Sequence, residues 1–395
     1  MSTTEGDGPF DPNADRDALR EAVRDYCERH WTEARVRAAI DDAASVPARA
    51  WSALGAELGL LGLAVPEDQG GSGASTIELA IVAEEFGRAL VPLPWLSSVI
   101  AAELLSAAGD TELVRRICDA EVTCALIGPT DGSWRADTAS VRADRDGDAW
   151  ALSGTAHHVV DGVDADTYVV LADADGQGIF VVDASTAGVD VTPSATMDPT
   201  RRQATVSFDG ARARRVGDGS SVIGAVVSLA AVLVAAESVG VAARMLDLAV
   251  DYAGSRVQFG RKIGSFQAVK HRCADMFVDL EEARSATTYA AWAVSSGRDG
   301  SGRDDAVLTS TLAHVSATGA AQSITADAVQ VFGGIAITWE HPAHLYYKRA
   351  VVDAVLWGGA QHRERLAVRA LDSGLAQART ENTARPENTN EKVAI

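Results

Sequence analysis

Cysteine is scarce in this chain: 4 in 395 residues, Cys27, Cys118, Cys124 and Cys273, with no CxxC pair among them. That spacing supplies neither a disulfide framework nor a zinc ligand set, so reduced structural thiols are the expectation. Basic residues are short as well. Lys+Arg number 35 against 55 Asp+Glu, a formal charge of −20. A field of that sign repels nucleic acid and anionic lipid, so neither is an expected partner. An unbroken apolar span is also missing. The longest uncharged stretch, Gly219 to Ala236, is interrupted by serines and glycines and lies among other helical patterns. It reads as a buried bundle helix and not as a membrane span. The first eight residues are acidic and polar and lack the basic-then-apolar order of a secretion signal, so a cytoplasmic location is the default expectation. No internal repeat is visible.

What the chain does contain falls into three textures. From about Asp15 to Ala120 apolar positions recur at helical spacing, with a glycine-rich loop at Pro66 to Ser75 and a second turn at Pro92, Pro94 and Trp95. From about Val122 to Val216, short runs such as Tyr168–Leu171 and Gly178–Val182 alternate with turns at Asp146-Gly147 and Asp161-Gly162, the pattern of a small β-domain. After Gly217-Asp218-Gly219 the helical pattern returns, with Ser228 to Tyr252 and Ala268 to Ser296 long enough for bundle helices. The expected domains are 1–120, 121–216 and 217–373, followed by a polar, disordered tail over 374–395.

Two segments carry the chemistry. Arg256-Val257-Gln258-Phe259-Gly260-Arg261-Lys262 puts an arginine, an amide and an aromatic at a helix end, followed by a glycine break. Gln330-Val331-Phe332-Gly333-Gly334 adds another amide and a glycine pair after a long helix. Glycines let backbone N–H groups approach a phosphate or a flat ring closely. The first segment alone could equally be a capped helix followed by a basic surface turn.

These segments resemble the signature regions of the acyl-CoA dehydrogenase family, flavoenzymes that desaturate acyl thioesters. The likeness extends to Leu58–Glu67 with Gly70-Gly71-Ser72-Gly73, to Glu84–Leu90, and to His341–Ala350. It implies an α+β fold: an N-terminal helical domain, a central small β-barrel or sandwich domain, and a C-terminal four-helix bundle. It also implies FAD as cofactor, an acyl-CoA substrate and electron-transferring flavoprotein as acceptor. In the family, two subunits sandwich FAD, and the Arg–x–x–Phe-Gly and Gln–x–x–Gly-Gly elements reach the ADP part of the neighbour's cofactor. The cofactor-binding residues implied here are Arg256, Gln258, Phe259, Gln330, Gly333 and Gly334. A guanidinium suits a pyrophosphate as a bidentate, permanently charged partner. A chain of charge −20 opposes such anions, so its cations must be concentrated locally, as Arg256, Arg261 and Lys262 are.

The same resemblance exposes a gap. Desaturation needs a carboxylate to remove the α-proton while the β-hydride leaves for the flavin. Most of the family carries that glutamate in a late turn, which here reads Leu356-Trp357-Gly358-Gly359-Ala360-Gln361-His362; the glutamate position is Gly358. The alternative seat, on the first long bundle helix, falls on Ala230, and the arginine after it becomes Ala231. No catalytic residue is therefore assigned. Glu364 lies about 240° around a helix from Gly358 and faces elsewhere. Glu237, two turns from Ala230, is the better stand-in, with a packed or paired helix carboxylate as its plainer explanation. Glu340 and His341 fit helix entry before Pro342. The ring-contact motifs are altered too: Ile127–Ser133 keeps Pro129, Gly132 and Ser133, while His158 and Val160 replace the usual tryptophan and threonine. The His157-His158 pair has no carboxylate or cysteine at ligand spacing, so no metal is expected.

The resulting expectation is a base-less subunit of a heterotetrameric dehydrogenase, paired with a second, catalytic chain of the same family and acting on bulky acyl-CoA esters. A homomeric flavoenzyme with a relocated base and a non-catalytic scaffold are the alternatives.

Overall fold

A computed structural model describes residues 8–41, 47–128, 140–147, 149–219, 222–296, 303–359, 363–365 and 368. The expected tail over 374–395 lies outside the described residues, as do Pro129 to Ser133, Gln361 and His362.

Six helices form the first layer: α1 Ala14–His30, α2 Glu33–Asp41, α3 Ala48–Ser52, α4 Thr76–Ala89, α5 Trp95–Ala108 and α6 Thr111–Cys118. Sequence chemistry sets their ends. Asn13 accepts from the Asp15 and Arg16 backbone N–H groups at the start of α1. Ser75 and Glu78 form a reciprocal capping box at the start of α4. The Leu58–Val65 signature and its glycine loop fold back on α5, where the Trp95 indole N–H donates to the Leu60 carbonyl at 2.9 Å. Within that loop a Cβ on Gly71 would lie 2.1 Å from the Val65 carbonyl oxygen, which explains why no side chain stands there.

Seven strands follow: β1 Cys124–Ile127, β2 Val141–Asp146, β3 Ala149–Val160, β4 Thr167–Asp173, β5 Gln177–Asp183, β6 Val189–Pro193 and β7 Gln203–Asp218. They pair in the order β1-β4-β2-β3-β7-β5, with β6 also on β7 and β5 returning to β4, so the sheet closes on itself as a barrel. Closure removes the exposed edge that so many short strands would otherwise present. Its interior holds Leu152, Tyr168, Val170, Phe180 and Val206, all fully buried.

The last layer is α7 Ile223–Ser255, α8 Gln267–Ser296, α9 Arg303–Phe332 and α10 Ala343–Asp353. Among the described residues α7 is the one helix long and apolar enough to cross a membrane, but 89% of its most apolar window is buried inside the protein. It is the central post of the bundle, touched by α4, α8, α9 and α10. Its crossing with α4 is unusually close. A Cβ at Gly240 would stand 1.9 Å from the Glu84 carbonyl oxygen, and one at Gly87 would stand 2.1 Å from that of Glu237. Two glycines therefore let two helix backbones touch.

Between α7 and α8 the chain makes a small hairpin, β8 Val257–Gln258 with β9 Arg261–Lys262. Phe259 and Gly260 form its two-residue turn, both with positive φ (53° and 76°), the geometry that matches strand twist. A glycine suits this turn; a phenylalanine there is strained. The four cysteines are free, and burial pushes the Cys118 thiol up to about 11 and those of Cys27 and Cys124 higher still.

Candidate active site and cofactor cradle

The two signature segments meet at one end of the bundle. Tyr252, in the last turn of α7, packs edge-on against Phe332 at the end of α9, ring centroids 5.5 Å apart. That contact brings the Arg256 hairpin and the Gln330–Gly334 segment to the same end of the bundle. All six assigned residues are exposed, and Phe259 is 91% exposed. Gly333 has φ 68°, and neither Gly333 nor Gly334 has any atom within 4 Å of where a Cβ would stand. Two bare glycines and a cation thus lie at the surface of the chain, which leaves room for the flat ring and the phosphates of an ADP group. Arg261 is committed elsewhere, lying 3.9 Å above the centroid of the Phe266 ring.

The reacting end assembles differently. Val160, at the end of β3, packs against Val352 and Leu356, with Trp357 alongside. Leu356 to Gly358 form a tight turn after α10, with positive φ at Trp357 (52°) and Gly358 (86°). This turn touches α7, which carries Ala230 and Ala231, both fully buried. The ring-contact position and the late-turn base seat therefore lie together, and none of Val160, Ala230 or Gly358 has a side-chain atom that can accept a proton. His158 is exposed at φ 56°, where the β3–β7 register slips, and His157 Nδ1 lies 3.2 Å from the Thr205 hydroxyl. Glu364 is exposed. His341 Nδ1 accepts from the Ala343 backbone N–H and its ring packs on Phe332, which is the helix-entry role expected of it.

Sequence reasoning missed the largest polar feature of the interior. Asp161 follows β3; Asp198, Thr200 and Arg201 sit between β6 and β7; Glu237 is on α7, and Arg349 and Asp353 are on α10. All seven are buried. Arg201 donates through Nη2 to both Glu237 oxygens, at 2.6 and 2.5 Å. Arg349 reaches Glu237, Asp198 and Thr200 at once. The Thr200 backbone N–H donates to Asp198 at 2.9 Å, and Ser97 on α5 donates to Asp161 at 2.6 Å. Burial works to raise the Glu237 carboxyl, but Arg201 and Arg349 outweigh it and hold it below the usual range. The same balance, dominated by Arg349, keeps Asp198 low. Asp353 goes the other way: burial, then repulsion from Glu237, raises it well above an ordinary carboxylate. Burial also lifts Asp161, to about 6. Glu237 is thus a paired, ionised carboxylate with both oxygens engaged. Nε and Nη1 of Arg201 and both Asp353 oxygens lack hydrogen-bond partners, and Arg201 Nη2 stands 3.9 Å from Asp353 Oδ1. No sequence signal joins these residues, because they come from four separate segments and share no common motif.

Comparison with known proteins agrees with this architecture. Residues 13–120 match the model of the acyl-CoA dehydrogenase N-terminal domain, and residues 217–380 that of the acyl-CoA dehydrogenase C-terminal domain. Acyl-CoA dehydrogenase IpdE2 of Mycolicibacterium smegmatis is 35% identical over 345 residues, covering 87% of this chain and 94% of that protein. Acyl-CoA dehydrogenase FadE34 of Mycobacterium tuberculosis is 36% identical over 349 residues, 85% of this chain and 45% of its own longer one. Among solved structures, the ChsE4–ChsE5 complex from Mycobacterium tuberculosis contains a chain 29% identical, with a TM-score of 0.82 over 92% of this chain and 98% of that one. A Tcur3481–Tcur3483 steroid ACAD variant aligns with the same TM-score over 91% of this chain and 99% of its own, at 26% identity. By both domain matches and by these relatives, the chain belongs to the acyl-CoA dehydrogenase family of oxidoreductases.

Proposed function

We propose that this chain is the base-less subunit of a heteromeric, FAD-dependent acyl-CoA dehydrogenase that desaturates acyl-CoA thioesters between the α and β carbons. One observation carries the reading. Arg256, Gln258, Phe259, Gln330, Gly333 and Gly334 are all exposed, whereas the inward positions Gly358, Ala230 and Val160 carry no side chain that accepts a proton, and Val160 packs against Val352 and Leu356.

In this reading Arg256 neutralises pyrophosphate charge across a subunit interface, and the backbone at Gly333 and Gly334 lies against the adenosine. Bound FAD supplies hydride-accepting chemistry; the ring pocket and the glutamate belong to a second chain of the same family. The ChsE4–ChsE5 complex and the steroid ACAD among its structural neighbours support a two-chain assembly acting on bulky, steroid-derived acyl groups. Electron-transferring flavoprotein is the proposed acceptor, and the cytoplasm the proposed location. The engagement of Glu237 with two arginines argues against a homomeric enzyme that uses it as base.

The test is to produce the chain alone and together with a candidate partner, then record flavin absorbance and acyl-CoA oxidation. Flavin retention and turnover are expected only in the mixed assembly. Stoichiometric flavin and turnover in the lone chain would contradict the proposal.

A further inference from the structure

A cleft of about 330 Å³ opens where α1, α4, α7 and α8 meet. None of the six cradle residues lines it, nor does any of positions 160, 230 and 358. Pockets that enclose a small molecule start near roughly 300 Å³, so this one is large enough. Its floor is apolar: Ile77 and Ile81 of α4, Ala236 and Val239 of α7, and Ala291 of α8, all otherwise buried.

The rim is charged but balanced. Arg16, Arg20 and Arg284 line it together with Asp11, Asp17 and Glu84. The guanidinium groups are also committed. Arg16 donates to Glu78 at 2.8 Å, Arg20 to Glu84 and Glu85 at 2.8 and 3.0 Å, and Arg284 to Glu84 at 3.2 Å. A rim of paired charges selects neither an anion nor a cation, since an incoming ion must separate a pair to gain a partner. Neutral hydrogen bonding remains. The Thr287 and Thr288 hydroxyls donate back along α8 to the carbonyls of Ala283 and Arg284, which leaves their oxygens as acceptors. Arg20 spends only Nη1 on its two carboxylates.

A second observation points to an occupant. Phe10, just before α1, lines the same cleft and is 63% exposed. A solitary exposed apolar side chain is ordinary, but this one borders an apolar floor, and a ligand on that floor would shield both from water. We propose that the cleft binds an uncharged, mostly apolar small molecule carrying a carbonyl or hydroxyl group, with the Phe10 ring closing over it.

Titrating the full chain with 6-propionyl-2-dimethylaminonaphthalene, a neutral fluorescent ketone, tests this without reference to flavin or to a partner chain. Saturable binding at one probe per chain is expected. 2-Acetylnaphthalene should displace the probe, whereas 2-naphthoate and 2-naphthylmethylammonium, of similar shape but charged, should not. T288W puts an indole into the cleft and is expected to abolish binding; F10A should weaken it several-fold with an unchanged melting temperature. No saturable binding to the wild type would overturn the site, as would undiminished binding to folded T288W. Should T288W fail to fold, F10A decides, and wild-type affinity there overturns the proposal. Displacement by either ion as readily as by the ketone would refute the assignment to an uncharged ligand.

Discussion

At the scale of single residues, the two acids on facing helices, Glu237 and Asp353, occupy the same buried cluster and are pushed in opposite directions. Two guanidinium groups hold the Glu237 carboxyl below the usual range, whereas burial and repulsion from Glu237 outweigh the same arginines at Asp353 and favour its protonated form. The E237Q variant should therefore lose about 3–5 kcal/mol in a urea titration, the cost of leaving buried arginines unpaired. D353N, which mimics a protonated acid, should lose less than about 1 kcal/mol; equal losses for the two would refute the assignment. Asp161 gives a pH dependence of definite sign. Its folded-state value is raised from 3.8 to about 6, so its contribution to stability is fully present below 3.8 and is lost as pH rises through about 6. D161N cannot ionise, and its stability relative to wild type should improve by roughly 2–3 kcal/mol between pH 4 and pH 8. A flat difference over that range would show that Asp161 does not titrate as described. The sequence singled out Glu237 and offered pairing as its plainer explanation, which is what the structure shows. It could not name the partners, because Arg201 and Arg349 come from distant segments whose meeting is decided by the fold.

At the scale of elements, the long helices and short strands were legible from periodicity, and the reason is physical. The most apolar stretch of α7 is apolar on every side because it is surrounded, and β4 and β5 are short because turns close the barrel around them. The hairpin between α7 and α8 was not legible. Arg256–Lys262 reads as a helix end followed by a break, and nothing in its composition announces two strands with a phenylalanine at positive φ. Replacing that residue by glycine removes the backbone strain, so F259G should leave the melting temperature of the lone chain unchanged or raise it. A clear drop would mean that Phe259 serves the chain's own stability. The α4–α7 crossing works in the other direction. G240A drives a Cβ into the Glu84 carbonyl, and a loss of about 3 kcal/mol or more is expected on denaturant unfolding; a change below about 1 kcal/mol would contradict the contact.

At the scale of the whole molecule, the two groups of signature positions differ in exposure. The outward group presents a cation, amides and bare glycines at the surface; at the inward group, Val160 packs with Val352, Leu356 and Trp357. In the proposed function, the exposed Arg256 of a chain of charge −20 receives an anionic group that arrives with another subunit. Residues 256–259 and 330–334 could be read from sequence because local motifs carry them, whereas the inward packing appears only once the fold brings its pieces together. The most direct measurement is the flavin-to-protein absorbance ratio of the purified mixed assembly carrying R256A in this chain. The account gives a several-fold fall in retained flavin, with the two chains still co-purifying. An unchanged ratio would mean that Arg256 holds no cofactor and that the outward cradle has another use.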